Sequence, residues 1–291
     1  MAAVAESGEI AGLLELGGRR FDISERALVM GIANRTPDSF YDKGSYFAFD
    51  AFLSHCERLV AEGAEIIDIG GVKAGAGPEV SEEEELERVV PAVAAVASRF
   101  DVAVSVDTWK AAVAAACFAE GAVVGNDISG FSDPGYLPAA AAAGASVVAT
   151  HIRLAPRVPD PEASYEDVVA TVAARLADLG QRAESAGIPA ARVVVDAGLD
   201  LGKTTAHSLA LLGASSRLAA LGYPLLLSAS NKTFLGELLD LPVDRRRDAS
   251  LAAAALGIAG GCRILRVHDV AGTVRVREML AFILAERSGQ R

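Results

Sequence analysis

The stretch "EIIDIGGVKAGAGPE", residues 65–79, starts with a short aliphatic run and continues into glycines that surround Lys73. Such a run, apolar at successive positions, is typical of a strand buried on both faces of a parallel sheet. Comparable runs recur at residues 28–32, 102–106, 122–124, 146–149, 192–195, 224–227 and 263–265. Alanine- and leucine-rich stretches with helical spacing lie between them. The sequence therefore predicts strands and helices in alternation.

About eight such units in a chain of 291 residues, with no break in composition, favour one closed parallel barrel over an open sheet. We predict an α/β fold, a (β/α)8 TIM barrel formed by residues 27–291. The preceding segment "LLELGGRRFDI" has two short runs around Gly17 and Gly18, which predicts a β-hairpin within residues 1–26. We expect this hairpin to close the lower end of the barrel.

The composition is that of a globular protein, with 52% hydrophobic and 22% charged residues. A formal net charge of -11 disfavours nucleic acid as a partner, so a few local cations must hold any anionic ligand. The cysteines Cys56, Cys117 and Cys262 form no CxxC pair and suggest neither a disulfide framework nor a zinc site. Because no apolar run is long enough to span a bilayer and no signal peptide is recognisable, we expect a cytoplasmic protein without a membrane partner.

Polar residues follow most of the predicted strands directly. In chain order, the positions after the eight strands are Asn34, Gly70, Asp107, Asn126, His151, Asp196, Ser230 and Arg266. In a barrel these positions surround one mouth, where the βα loops converge and active sites lie. A single aspartate at a strand end, such as Asp107, would more often cap the next helix. Seven polar ends at one mouth make capping a minor explanation, and we predict a functional site there.

Three further motifs carry polar side chains near strand ends. "GLDLGKTT", residues 198–205, has three residues between its glycines where a nucleotide phosphate loop has four, so we expect Lys203 to be a loop or helix-start lysine. "RVHDV", residues 266–270, places Arg266 and His268 on one side of an extended backbone, which suits a phosphorylated ligand. Asn34 and Asp38 in "NRTPDSF" are candidate oxygen ligands for Mg²⁺, although the same sequence is typical of a turn.

Residues 152–163, "IRLAPRVPDPEA", are here called the proline loop because Pro156, Pro159 and Pro161 disfavour regular structure in it. The sequence is compatible with a mobile lid over the barrel mouth. It is equally compatible with an exposed connection between two elements.

Taken in order, these motifs resemble those of one family, dihydropteroate synthase, the pterin-binding barrel of folate synthesis. The resemblance runs from about Leu28 to Leu280. The segments that carry it are "MGIANRTPDSFYDKG", "IIDIGG", "SVDTWKAAVA", "NDI", "DAGLDLGKT", "SASNKTFLGE" and "RVHDV". Each piece alone is a weak signal, but all of them in order at barrel strand ends are highly specific.

The resemblance implies a transferase that joins 6-hydroxymethyl-7,8-dihydropterin diphosphate to p-aminobenzoate, or a related amine, and releases pyrophosphate. It implies Mg²⁺ as a cofactor and a homodimer formed through the last helices. The implied catalytic residues are Asp107, Lys232, Arg266 and His268. The implied substrate contacts are these four with Asn34, Asn126, Asp196 and Ser230, and the implied metal ligands are Asn34 and Asp38.

The sequence departs from the family pattern in its loops. After the second barrel strand the family has a threonine and an arginine where this chain has Ala74 and Gly75. We hypothesise that Lys73 restores part of the lost charge and contacts the substrate. Asp200 replaces a glycine and Asn231 an arginine, on the side expected to take p-aminobenzoate. These departures are similar to those of the divergent second dihydropteroate synthase paralogues of actinobacteria.

Two functions therefore remain open. The first, which we favour, is an active synthase with p-aminobenzoate or a different amine as acceptor. The second is a catalytically impaired paralogue that binds pterin, since losing a loop donor lowers turnover by orders of magnitude while ground-state binding survives. A methyltransferase that shares the pterin pocket is disfavoured, because Arg266 and His268 suggest a diphosphate that its chemistry lacks.

Overall fold

The computed structural model describes residues 12–35, 45–75 and 77–288. Two short antiparallel strands, β1 (Leu13–Leu16) and β2 (Arg19–Asp22), precede eight parallel strands in this part of the chain. These are β3 (Leu28–Asn34), β4 (Ile66–Gly70), β5 (Ala103–Asp107), β6 (Val124–Asp127), β7 (Ser146–Thr150), β8 (Val193–Asp196), β9 (Leu225–Leu227) and β10 (Cys262–Val267). Because β10 pairs with β3, the sheet closes into a barrel. The predicted (β/α)8 TIM barrel with an N-terminal β-hairpin is confirmed.

Helices connect successive strands and cover the outside of the barrel. They are α1 (Ser45–Ala61), α2 (Glu82–Arg99), α3 (Ala111–Ala119), α4 (Tyr136–Ala142), α5 (Val168–Ser185), α6 (Thr205–Gly213), α7 (Ser215–Ala219), α8 (Thr233–Leu239), α9 (Arg247–Ala259) and α10 (Val270–Ser288). The strands are buried on both faces because their inner residues fill the barrel and their outer residues pack under these helices. Within the described ranges, no helix is long and apolar enough to cross a membrane.

The hairpin packs against the amino-terminal ends of the barrel strands. Leu14, Leu16 and Ile23 are fully buried there, in one apolar cluster with the inward side chains of the strand starts. Gly17 and Gly18 form the turn with positive φ, and a Cβ on Gly17 would lie 2.5 Å from Val123. The division into a hairpin over residues 1–26 and a barrel over 27–291 stays a prediction, since residues 1–11 lie outside the described ranges.

The strand register sets the geometry of the opposite end of the barrel. Gly70 at the end of β4 pairs with Asp107 at the end of β5, and Asp107 pairs with Asn126 in β6. Neighbouring strand ends therefore lie in one layer, and their polar side chains face a common space. The three cysteines are buried as free thiols, in keeping with the absence of a disulfide framework expected from the sequence.

Candidate active site

A cavity of about 500 Å³ opens at the carboxyl ends of the barrel strands. The predicted site residues that line it are Asp107, Asn126, Asp196, Lys232 and Arg266. Other predicted residues lie beside it: Asn34 and His268 line a neighbouring cavity of about 560 Å³, and Ser230 and His268 line a third of about 210 Å³. The barrel mouth thus separates into one deep polar cavity and two adjoining spaces that share His268.

Arg266 lies between two aspartates at the floor of the main cavity. Its Nε donates to Asp68 Oδ2 at 2.7 Å, and its Nη2 donates to Asp107 Oδ2 at 2.6 Å. Asp68 is fully buried in the middle of β4 and also accepts from Ser105 Oγ at 2.5 Å and Asn126 Nδ2 at 3.2 Å. This network fixes the plane of the guanidinium, because each hydrogen bond restricts its rotation.

Asp68 is a site residue that the sequence interpretation missed. It lies inside the aliphatic run "IIDIG", which is typical of a strand buried on both faces. A carboxylate in such a strand needs a charged partner. That requirement was the available signal, and the partner is Arg266, which is distant in sequence.

Asp107 does not cap the helix that follows it. At the start of α3 the Ala111 amide donates instead to Asp133 Oδ2 at 2.8 Å. Burial raises the pKa of the Asp107 carboxyl, and the charge of Arg266 only partly offsets this because Asp68 and other carboxylates lie close. Asp107 is therefore a partly buried group whose charge depends on the cation beside it.

Asp196 and Lys232 line the same cavity. Asp196 is buried, and its Oδ1 accepts from the Gly198 amide at 2.8 Å. Burial raises its pKa, and Lys232 partly offsets that rise. Burial likewise lowers the pKa of Lys232, against the attraction of Asp196 and Asp200. A buried carboxylate facing a lysine in this way can accept parallel N–H bonds from a guanidine-like ring edge.

Lys203 is buried rather than an ordinary loop lysine. The sequence places it correctly in the loop before α6, but only 8% of it is exposed and it lines the cavity. Its Nζ lies 2.9 Å from His151 Nδ1 and donates to the carbonyls of Leu201 and His151 at 3.0 and 3.2 Å. Burial and Lys203 lower the pKa of His151 to about 3, so the neutral imidazole accepts this hydrogen bond.

His268 joins the spaces beside the main cavity. Its Nδ1 lies 3.0 Å from Ser230 Oγ, and its backbone amide donates to the same oxygen at 3.2 Å. Although the residue is exposed at the rim, partial desolvation of the ring and the charge of Arg266 lower the pKa of His268. At neutral pH this side chain therefore offers hydrogen bonds and not positive charge.

The altered loops meet the cavity in different ways. Ala74 and Gly75 line it, whereas Lys73 is exposed and does not. Asp200 keeps a positive φ of 66° in a position where the family pattern has glycine. Its carboxylate accepts from the Thr233 amide at 2.6 Å, so this side chain is held against the start of α8. The loop after β8 thus carries a carboxylate in a left-handed backbone conformation, the kind that usually favours glycine.

Of the two metal ligands predicted from the sequence, Asn34 lies within the described residues. Asp38 lies outside the described residues. Within them, no group of three or more His, Cys, Asp or Glu side chains is arranged to hold a metal ion. Asn34, at the end of β3, offers an amide oxygen beside the cavity that it shares with His268. Such a donor fits a Mg²⁺ that is bound mainly by a diphosphate and water.

The fold and this arrangement of side chains define the class: a TIM barrel whose mouth has carboxylates, a fixed arginine and a lysine around one cavity. A family model described as "Pterin binding enzyme" matches residues 30–268, and the chain belongs to this family. The resemblance stated from the sequence is confirmed.

Relatives and solved structures carry more specific names. "Inactive dihydropteroate synthase 2" of Mycobacterium leprae is 43% identical over 270 residues, which cover 91% of this chain and 93% of that protein. Dihydropteroate synthase of Bacillus subtilis is 39% identical over 262 residues, covering 89% and 90%. The structure of Xanthomonas albilineans dihydropteroate synthase with 4-aminobenzoic acid superposes with a TM-score of 0.87 at 38% identity, covering 94% of this chain and 98% of that one.

Proposed function

We propose that this protein is a dihydropteroate synthase-type transferase. It joins 6-hydroxymethyl-7,8-dihydropterin diphosphate to the amine of p-aminobenzoate, or of a related arylamine acid, and releases pyrophosphate. The observation that carries the proposal is the convergence of Asp107, Asn126, Asp196, Lys232 and Arg266 on one cavity. The 39% identity to a named synthase supports it.

The buried polar groups bind and orient the pterin in this proposal. Asp196 and Asn126 hydrogen-bond the edge of the ring, and Lys232 balances the charge of Asp196. Arg266 lies flat against the ring, since Asp68 and Asp107 hold its guanidinium plane. Binding energy from this end fixes the methylene carbon in the path of the incoming amine.

The departing pyrophosphate would lie beside the main cavity, next to Asn34, Ser230 and His268. His268 donates a hydrogen bond there as a neutral imidazole. We include Mg²⁺ in the proposal: Asn34 would offer it an oxygen, and the ion would neutralise part of the diphosphate charge. The amine nitrogen attacks the methylene carbon as the carbon–oxygen bond to diphosphate breaks, and the proton of the amine leaves to solvent or a base.

One observation favours the second candidate function, a pterin-binding paralogue that does not synthesise efficiently. The loop after β4 presents only Ala74 and Gly75 to the cavity, so it supplies no charged side chain there within the described residues. The 43% identical relative from Mycobacterium leprae is named inactive. Ground-state binding of the pterin depends on strand residues and would survive it.

Calorimetry followed by a turnover assay separates the two candidates. We expect the protein to bind the pterin diphosphate and to release pyrophosphate only when p-aminobenzoate or another arylamine is present. Binding without release for every amine tested would establish the impaired paralogue. Absence of pterin binding would contradict both functions. Growth of a strain that lacks its own dihydropteroate synthase gives an independent readout.

We also propose that two copies associate through α9 and α10, which pack side by side. Leu256 and Met279 are 53% and 61% exposed on these helices. Introducing a charge by Met279→Glu should shift a dimer to monomers in analytical ultracentrifugation. Leu209→Glu, on α6, is the matched control and should leave the mass unchanged. A monomeric wild-type protein would contradict this assembly.

A further inference from the structure

The proline loop is held between two active-site loops. The Arg157 amide donates to Ala74 O at 3.2 Å, in the loop after β4, and its Nη2 donates to the carbonyl of Pro78. On the other side Tyr165, just beyond the proline loop, donates to Gly202 O at 2.8 Å, in the loop after β8. The proline loop therefore forms a wall of the main cavity, a feature that neither predicted alternative, a mobile lid or an exposed connection, included.

This wall combines apolar surface with one guanidinium. The residues of the proline loop that line the cavity are Ile152, Ala155, Arg157, Val158, Pro159 and Asp160. Its aliphatic members, among them Val158 at 51% exposure, offer a contact surface for an aromatic ring. A planar ring with an attached polar group is the kind of ligand that such a surface suits.

The two acids on this side of the cavity already have partners. Asp160 pairs with Arg153, whose Nη2 donates to Oδ1 at 2.5 Å. Asp200 accepts from the Thr233 amide at 2.6 Å and from Ser208 Oγ at 3.1 Å. Both carboxylates are thus satisfied by donors of the protein and leave little demand for a cationic ligand.

Arg157 differs from these groups. Its guanidinium is bonded to a backbone carbonyl, and no carboxylate among the described residues forms an ion pair with it. The other cations of the cavity are committed elsewhere: Arg266 to two aspartates, Lys203 to His151 and two carbonyls, and Lys232 to the Leu199 carbonyl. Arg157 also lies in a different cavity from Asn34 and His268, which we assign to the diphosphate.

We propose that Arg157 recognises the carboxylate of the acceptor, and so selects arylamine acids over neutral arylamines. This inference rests on the proposed function, because it assigns a specificity residue to the second substrate of that reaction. The aromatic ring lies along the proline loop, and the acid group pairs with the guanidinium at the cavity rim. The charge comes from a different loop from the one that carries Lys73.

Acceptor binding can be measured without turnover. Calorimetry on the full chain, with 6-hydroxymethylpterin and inorganic pyrophosphate present, compares p-aminobenzoate with its neutral amide, p-aminobenzamide. We expect wild type to bind the acid more tightly than the amide. Arg157→Gln should weaken acid binding ~10- to 100-fold, the size of a charge-assisted hydrogen bond, and leave amide binding unchanged. Arg157→Lys should retain part of the preference.

Arg19→Gln is the matched control, because it removes the same charge from the exposed hairpin at the far end of the barrel. The Arg157 substitutions keep the backbone bond to Ala74, so the proline loop stays attached. Equal weakening of acid and amide, no weakening of either, or a loss of pterin diphosphate affinity would overturn the assignment. So would a wild-type protein that does not prefer the acid.

Failure of the Arg157 assignment can be distinguished from failure of the proposed transferase function. Acid binding that depends on Arg157, in a protein that never releases pyrophosphate, refutes the transferase and supports this inference. Turnover in which Arg157→Gln uses the acid as well as wild type refutes this inference and leaves the transferase standing.

Discussion

The two ends of the cavity, which we assign to the pterin (the pterin end) and to the acceptor (the acceptor end), are built from different structural elements. At the pterin end, Asp68, Asp107 and Arg266 lie on barrel strands, and both aspartates accept hydrogen bonds from Arg266. At the acceptor end, Arg157 and Asp200 stand on loops and adopt positive φ values of 69° and 66°. Strand residues are held by the register of the whole sheet, whereas loop residues are held by a few local bonds. The comparison suggests that the first end resists change and that the second can be altered without loss of the fold.

The largest effect is expected where the strand network loses the cation that Asp68 and Asp107 share. Arg266→Met leaves the buried Asp68 and the partly buried Asp107 without that partner, and we expect the free energy of unfolding to fall by about 3–5 kcal/mol. Urea denaturation measures this change. The loss should be smaller at pH 5 than at pH 8, because burial raises the pKa of Asp107 and a protonated carboxyl needs no cation.

Arg19→Gln again provides the control, since its ion pair with Asp101 is solvent-exposed and should contribute less than about 1 kcal/mol. If Arg266→Met unfolds at the same urea concentration as Arg19→Gln, the pterin end is not the rigid half of the site.

A smaller effect is expected from Asp196→Asn, which changes ligand binding more than stability. We expect affinity for the pterin diphosphate to fall ~10- to 100-fold, because an amide replaces the acceptor of charge-assisted bonds. The fold should tolerate the change, since burial already disfavours the charged form of Asp196. Calorimetry measures the affinity, and Asp101→Asn is the exposed control. Unchanged affinity would remove Asp196 from the pterin site.

The smallest effect concerns Lys203, which lies where the two ends meet. Burial lowers its pKa from 10.5 to about 7. Between these values the unfolded chain holds more protons than the native protein, so this lysine makes stability rise with pH, by at most about 1.4 kcal/mol per unit. Below pH 7 the charged form costs the fold stability. In Lys203→Met, the free energy of unfolding should therefore rise less between pH 7 and pH 9 than it does in wild type. Urea denaturation at several pH values measures the free energy of unfolding of both proteins. If it changes with pH equally in Lys203→Met and wild type, Lys203 stays charged.

The sequence predicted most of the barrel and the floor of its cavity. Doubly buried strands have a composition that is visible residue by residue, and polar residues at their ends converge in any closed barrel. Thus Asp107, Asn126, Asp196 and Arg266 were found from position alone. The roles assigned to them stay predictions, as does the role of Lys73.

What the sequence could not supply depends on contacts between loops distant in the chain. The bond between Arg157 and Ala74 joins segments that have no shared pattern. The burial of Lys203 follows from the way the proline loop covers Gly202, where a Cβ would lie 3.0 Å from Arg153 Cβ. Turn and loop chemistry predicts local backbone shape but not which loops pack together.

The hairpin at the lower end of the barrel bears on where ligands can enter the protein. Leu14, Leu16 and Ile23 pack across the strand starts, so the described part of the hairpin covers the end of the barrel opposite the cavity. In the proposed reaction the pterin binds among the strand-end residues near Arg266, and the acceptor binds along the proline loop, so both use the same cavity. We therefore expect the proposed reaction to proceed by ordered binding, with the pterin binding before the acceptor. The product would leave through the same barrel mouth.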